Sequence, residues 1–429
     1  MSLRYFNSEK FLSVAESRIP LGSQTFSKSK TQYPVGVSPL FAEYARGAYL
    51  WDIDNNKYLD LVSALAAVTL GYQNRKIDTA VKRQLKKGVT LSLPTKLESE
   101  VAELIGLLVP SAEMVRFAKN GSDATAGAVR LARAYTNKKI VAMCGYHGWQ
   151  DWSIVTTSRN AGIPNEVGEL TKTFKYNDIN SLMKLFSEFP NQIACVIMEP
   201  MNIEFPQEGF LQKVRELCDR EEALLIFDET ITGFRYDRGG AQELFHVKPD
   251  LCTFGKGIAN GYPLSVVAGK REIMRSMETI FFSGTFGGEL LSLTAAREVL
   301  LMHQLDLVVP KLINIGEKIN EGINQLIVEF DLSATLRISG HPSWTFLNWS
   351  ADNENSLDAL KTYFLQEMFK EGVLILNTHN VTTSMGSRQI AFVLEKYAVV
   401  LSRLKTALNN GGVRKSLEVE PLVPLFRVR

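Results

Sequence analysis

Between residues 114 and 269 the sequence offers six short apolar runs, "MVRFAK", "KIVAMC", "IACVIME", "ALLIFDE", "DLCTFG" and "PLSVVAG". Helical patterns fall between them, among others at 123–136, 179–188 and 208–221. Apolar runs without polar alternation must be covered on both faces, and strands joined through helices run parallel. The stretch is therefore constrained to an α/β fold, a mainly parallel sheet sandwiched by helices. Ligands of such sheets bind beyond the carboxyl ends of the strands.

The flanks read differently. Residues 47–62, "GAYLWDIDNNKYLDLV", predict a hairpin of two β-type runs turning at Asp54, Asn55 and Asn56. From about Val309 long amphipathic helices such as "LDALKTYFLQEMFKEG" take over, with short strands expected at "VLILN" and "QIAFVL". The flanks are expected to form a smaller α+β domain, residues 1–65 with 309–429, beside a large domain over 66–308. The 48 basic and 46 acidic side chains leave a net charge of +2, which gives no footing to nucleic acid or an anionic membrane as partner. Cys144, Cys195, Cys218 and Cys252 form no C-x-x-C pair and read as reduced thiols of a cytoplasmic protein. The N-terminal twenty residues lack the apolar run of a signal peptide, and "LVSALAAVTLGY" is too short to span a bilayer.

Within "PDLCTFGKGIANGYPL", Lys256 sits between two glycines directly after an apolar run, so its amine should emerge at a strand end. It could be an ordinary loop lysine, a point charge for phosphate, or a nucleophilic amine kept neutral by desolvation. Four further strand-end features bear on that choice. "KNGSDAT" leads from a strand into a helix, where the Gly121 amide and Ser122 hydroxyl could seat a phosphate, or Ser122 or Asp123 could simply cap the helix. "LLIFDET" ends a buried run in Asp228, costly for a carboxylate unless it meets a cation or strong donor; a salt-bridged acid and a partner for a protonated ring nitrogen both remain open. After "IVAMC", Tyr146 and His147 offer an aromatic that could stack on a planar group or fill core. "SGTFGGE" places Thr285 in a short loop, to cap the next helix or to hold a phosphate. Together these are what a phosphorylated pyridine aldehyde requires: an anion seat, a stacking wall, a carboxylate for the ring nitrogen and an amine for the aldehyde.

The same segments resemble the class III aminotransferases of pyridoxal-phosphate fold type I, and within them the branch of glutamate-1-semialdehyde 2,1-aminomutase. The resemblance runs from "LWDIDNNKYLDL" through "NGSDATAGAVRLARAYT", "YHGWQDW", "IMEP", "LLIFDETITGFR" and "PDLCTFGKGIANGYP" to "SGTFGGE". It implies pyridoxal 5'-phosphate held by Lys256 as a Schiff base, with Asp228 on the pyridinium nitrogen and Gly121 and Ser122 at the phosphate. Tyr146 would stack on the ring with His147 beside it in the cofactor set, and Thr230 would pack on the opposite face. Glu199 and Asn202 would lie near the ring hydroxyl, although the segment after Pro200 departs from the family spacing. Thr285 would reach the phosphate of a neighbouring subunit, which implies a homodimer with composite sites. The implied reaction moves an amino group between a small-molecule amino donor and a carbonyl acceptor. In it Lys256 serves as the base that moves a proton, and Asp228 keeps the ring nitrogen protonated.

The mutase pattern is incomplete. Where an arginine is expected to hold the substrate carboxylate, "LGSQTFSKSKTQ" supplies Gln24, Thr25, Ser27 and Lys28. Where a phenylalanine-glutamate-alanine-glycine loop is expected, "LNTHNVTTSMG" supplies His379, Asn380 and Thr382. A polar, uncharged site suits a transaminase acting on a sugar or other hydroxylated ketone. The alternatives are a true aminomutase with a rearranged carboxylate contact, a cofactor-binding protein without turnover, and an unrelated sugar-phosphate or nucleotide enzyme. The last would use "NGSDAT" as its anion loop and leaves Lys256 unexplained.

Overall fold

The computed structural model describes residues 3–423. The central stretch folds into one seven-stranded sheet: β1 (Met114–Ala118), β2 (Ile140–Cys144), β3 (Thr171–Thr173), β4 (Ile193–Met198), β5 (Leu224–Asp228), β6 (Leu251–Phe254) and β7 (Ser265–Gly269). Their order is β1-β7-β6-β5-β4-β2-β3. All pairings are parallel except those of β7, which runs against both β1 and β6. Each of the six apolar runs is a strand. The additional β3 has the short polar sequence "TKT", which carries no strand signal of its own.

Successive residues of a strand point to opposite faces, and here both faces are apolar. Val141, Met143, Cys195, Ile197 and Ile226 pack against the small-residue helix α1 (Gly121–Thr136). Ala142, Cys144, Val196, Met198, Leu225 and Phe227 pack against α2 (Ile179–Glu188) and α3 (Phe210–Arg220). Fully burying one such aliphatic or aromatic side chain contributes about 1.5–3 kcal/mol, so the two layers hold the sheet rigid. Because β1, β2, β4, β5 and β6 run in one direction, their carboxyl ends share one edge. That edge carries the segments after Ala118, Cys144, Met198, Asp228 and Phe254.

The chain divides into two units, Arg75–Val309 with this sheet, and a second built from the described residues up to Asn74 and from Pro310. In the second unit the hairpin strands Tyr49–Asp52 and Lys57–Asp60 pair as expected, joined by Ala42–Arg46 on one side and by Val373–Leu374 on the other. The segment after the hairpin stays with this unit past residue 65. It turns through Ser63–Ala66 with φ values of 48°, 51°, 61° and 66°, and Tyr72 returns to pair with Gly47. A left-handed backbone costs about 1–2 kcal/mol per non-glycine residue. Here it is held by the Asp60 carboxylate, which accepts from the amides of Val62 at 2.7 Å and Ser63 at 2.9 Å.

Two expectations for the C-terminal flank are corrected. "QIAFVL" is not a strand; it lies in the helix Ser387–Asn409, and "VLILN" contributes only Val373 and Leu374 to a sheet. A short apolar run fits either structure, and its continuation decides: Val393, Tyr397, Val400, Leu401 and Leu404 are buried at helical spacing. Gln389 also caps the helix start, its side-chain oxygen accepting from the Gly386 amide at 3.0 Å. All four cysteines are buried free thiols, and burial pushes Cys195 up to about 12. No single helix among the described residues is long and apolar enough to cross a membrane.

Candidate active site

Asp228 ends β5 and is only 5% exposed. Its Oδ1 accepts from the Thr230 hydroxyl at 2.5 Å, the Thr230 amide at 3.1 Å and the Thr253 hydroxyl at 3.1 Å. Its Oδ2 meets His147 Nδ1 at 2.8 Å, which leaves that oxygen room for one more donor. His147 Nε2 lies 3.0 Å from the Cys144 carbonyl oxygen. Both partners of the ring are acceptors without hydrogens, so both nitrogens donate and the ring is imidazolium. Burial alone would lower this imidazole, but the hydrogen bond and charge of Asp228 outweigh it and raise it. Burial alone would raise Asp228, but His147 and the Thr230 donors hold it below the usual carboxylate range. His147 therefore stands behind Asp228 and fixes its charge, a role the sequence did not reveal; Trp152 stacks beside it.

Lys256 follows β6 at φ +44° and opens a one-turn 3-10 helix, Lys256–Ala259. Among the described residues no hydrogen bond or ion pair engages its amine. Burial pulls the ammonium down, against the charges of Glu199 and Asp228, so the neutral amine is within reach. Glu199 follows β4, and its Oε1 accepts from Asn202 Nδ2 at 2.8 Å. Burial, then the charge of Asp228, pushes Glu199 up to about 7, while His147 and Lys256 act in the opposite sense.

Close approaches bring the strand-end segments together. A Cβ on Gly121 would come within 3.0 Å of Thr230 Cγ2, and one on Gly255 within 3.2 Å of the same methyl. The start of α1, the residue before Lys256 and the segment after Asp228 thus meet at Thr230. Gly148 has φ +109°, and a Cβ there would lie 2.5 Å from Ser122 Cβ, so only glycine lets the Tyr146–Gly148 loop lie against α1. Thr125 Oγ1 ties that loop down by donating to the His147 carbonyl oxygen at 2.6 Å. Tyr146 remains 46% exposed.

The N-cap of α1 is neither Ser122 nor Asp123. Asn120 takes that position, and Asp123 Oδ2 accepts from its amide at 2.7 Å. The Ser122 hydroxyl and the amides of Gly121 and Ser122 are left for an anion, while the Asp123 amide already donates to the Asn120 carbonyl oxygen at 3.0 Å. Thr285 is not among the residues that these close approaches bring together. Its exposed loop lines a cavity of about 800 Å³ with Lys119, Asp123, Arg130 and Phe286, and neither Ser122, Asp228 nor Lys256 lines it. In the second unit His379 is fully buried, its ring nitrogens 2.9 Å from Thr345 Oγ1 and 2.5 Å from Tyr397 Oη. It is interior structure and gives no support to a polar substrate site.

This donor set fits a phosphorylated pyridine aldehyde on three observations. An unengaged amine disfavoured as ammonium, a buried carboxylate that stays ionised with one acceptor position over, and a helix start carrying a free hydroxyl converge on one sheet edge.

Known proteins agree. A glutamate-1-semialdehyde 2,1-aminomutase of Francisella tularensis subsp. holarctica is 36% identical over 346 residues, 76% of this chain and 80% of its own. A 3-aminobutyryl-CoA aminotransferase of Cloacimonas acidaminovorans is 30% identical over 416 residues, 95% of this chain and 99% of its own. Among solved structures, the PLP internal aldimine form of the FumI protein of Sphingopyxis sp. MTA144 superposes with a TM-score of 0.88 at 27% identity, covering 98% of this chain and 99% of that one. The sequence pattern of aminotransferase class III spans residues 32–408. The chain belongs to the class III aminotransferases, pyridoxal-phosphate-dependent enzymes that pass an amino group between small-molecule amino donors and carbonyl acceptors.

Proposed function

We propose that this enzyme is a net transaminase rather than a mutase, with Lys256 as the nucleophile and proton carrier and Asp228 as the partner of the cofactor ring nitrogen. The observation that supports these roles best is the Thr230 methyl, against which both Gly121 and Gly255 are packed beside the four-donor Asp228 carboxylate. Gly121 and Ser122 would hold the phosphate, Tyr146 and Thr230 the two faces of the ring, and Glu199 with Asn202 the side of the ring hydroxyl. When bound, the cofactor supplies an aldehyde for the amino group and an electron-accepting ring. The protein supplies the rest. Lys256 moves a proton as the neutral amine that its burial favours, and His147 holds Asp228 ionised.

The missing arginine near Gln24 and missing glutamate near His379 favour transamination, as does the near full-length match to a protein named an aminotransferase. Incubating the yellow enzyme with glutamate and other amines should discharge its visible band and release the matching keto acid. Conversion of glutamate-1-semialdehyde to 5-aminolevulinate with no net donor would replace this reading with the mutase. A hydroxylated acceptor, such as a sugar ketone, is the first class to screen. A cytoplasmic location accords with the four reduced thiols.

We further propose a homodimer in which Thr285 serves the partner's phosphate seat. Its place on a loop where Phe281 is 82% and Phe286 58% exposed, lining a cavity with Lys119 and Asp123 beside the start of α1, supports that arrangement. Mixing inactive Lys256→Ala and Thr285→Ala chains should then restore activity to about a quarter of wild type, from roughly half mixed dimers each with one intact site. No recovery after demonstrated subunit exchange would return Thr285 to its own subunit.

A further inference from the structure

We propose that Glu199, held by Asn202, is a second proton-holding group of this site, the one that receives the proton the Lys256 ammonium loses when its nitrogen becomes a nucleophile. This rests on the reading of Lys256 as the cofactor-binding amine.

The carboxyl groups whose charges act on Lys256 are Asp228 and Glu199; Glu229, next to Asp228, is occupied by the Thr232 hydroxyl and the Ala241 and Gln242 amides. Asp228 accepts four hydrogen bonds, one of them from an imidazolium, and a carboxylate so supplied is a poor base. Glu199 has a single donor among the described residues, the neutral amide of Asn202. A proton released between the two therefore settles on Glu199. Gly145 shows where that carboxyl lies: a Cβ there would sit 3.5 Å from Glu199 Oε1 and 4.0 Å from His147 Nε2. Glu199 thus lies over the loop that carries His147, at the carboxyl edge of the sheet where Lys256 follows β6.

The other ionisable groups facing this carboxyl cannot take its place. Cys144, Tyr176 and Tyr236 all feel the Glu199 charge, and burial holds each of them in its neutral, protonated form. Asp228 and His147 are already committed to each other. Arg235, buried and positive, pushes Lys256 toward losing its proton. The transfer balances without any further reactant: a Lys256 N–H bond breaks and a Glu199 O–H bond forms, so that ammonium and carboxylate become amine and carboxylic acid. Asn202 acts as a positioning residue, fixing the carboxyl through its hydrogen bond to Oε1.

A proton shared between two groups has a signature. The fraction of neutral amine stays level between the two apparent titrations of the pair, whereas a lone lysine gains tenfold free amine per pH unit up to its own titration. The test uses the full chain freed of cofactor, with pyridoxal phosphate as probe and the rate of appearance of the visible lysine adduct as readout from pH 5 to 9. Wild type should give a two-step profile, flattened through neutrality. Glu199→Gln keeps the size and the oxygen for Asn202 but cannot take a proton; it should give one single-proton rise, about tenfold faster in the middle of the wild-type plateau. Asn202→Leu, which weakens the carboxylate form of Glu199, should lift the plateau toward the Gln variant and serves if that variant does not fold. A one-step wild-type profile that superposes on Glu199→Gln overturns the proposal. No adduct in wild type, or an adduct undiminished in Lys256→Ala, removes the Lys256 reading instead, so the two failures are distinct.

Discussion

Lys256→Ala should abolish the yellow adduct and lower turnover by more than about three orders of magnitude, because it removes both the nucleophile and the proton carrier. The fold should survive. The amine has no hydrogen-bonded partner among the described residues to lose, and alanine tolerates the φ of +44° no worse than lysine does. Burial disfavours the charge being removed, so unfolding in urea should move by no more than about 1 kcal/mol. Borohydride reduction of the wild type followed by peptide mapping is the direct check. The added mass should sit on Lys256, and its appearance on another lysine would end the assignment. Loss of the yellow band together with loss of the folded state would mean that Lys256 is structural.

How much of this could be read from the sequence follows from which interactions are local. The sheet was legible because both of its faces are buried, so every strand but the short edge strand β3 is an apolar run bounded by turn residues, as in "ALLIFDE". The helix Ser387–Asn409 was misread at "QIAFVL" because six residues cannot separate the two periodicities. Lys256 and Asp228 stood out as candidates because a charge at the end of an apolar strand needs a chemical reason, and both lie at strand ends. The partner of Asp228 was not legible, because the loop that bears His147 follows β2, which is separated from β5 by β4. A signal existed nonetheless: a buried strand-end carboxylate demands a donor, and His147 is an ionisable donor in a neighbouring strand-end loop. His379 misled for the converse reason. Nothing in "LNTHNVTTSMG" shows that its ring is consumed by Thr345 and Tyr397, residues distant in the chain.

Asp228→Asn should keep the cofactor bound and slow proton removal from the substrate by about two to three orders of magnitude, the scale of losing one preorganised electrostatic contact. The hydrogen bonds allow the fold to persist. The asparagine oxygen can keep two of the three donors now on Oδ1, the Thr230 hydroxyl among them, and its amide can donate to His147 Nδ1 if the ring gives up that proton while Nε2 still donates to the Cys144 carbonyl. The second amide hydrogen then points to the position left for the ring nitrogen, which suits an unprotonated nitrogen and a poor electron acceptor. The same exchange fixes the pH dependence of stability. Asp228 is depressed in the folded protein, so its contribution is present above the unfolded carboxylate value of about 4 and is lost as pH falls. His147 is raised, so its contribution is full below the unfolded imidazole value of about 6.5 and is lost as pH rises through the folded value. The stability gap between wild type and variant should therefore be widest between about pH 4 and 6.5 and narrow on either side. Urea unfolding of the cofactor-free proteins across pH 4 to 9 measures that gap. Deuterium exchange at the reacting carbon of an amino donor measures proton removal. Exchange as fast as in wild type would show that the ring nitrogen has a different partner, and a gap that is constant with pH would show that His147 and Asp228 do not form a charged pair.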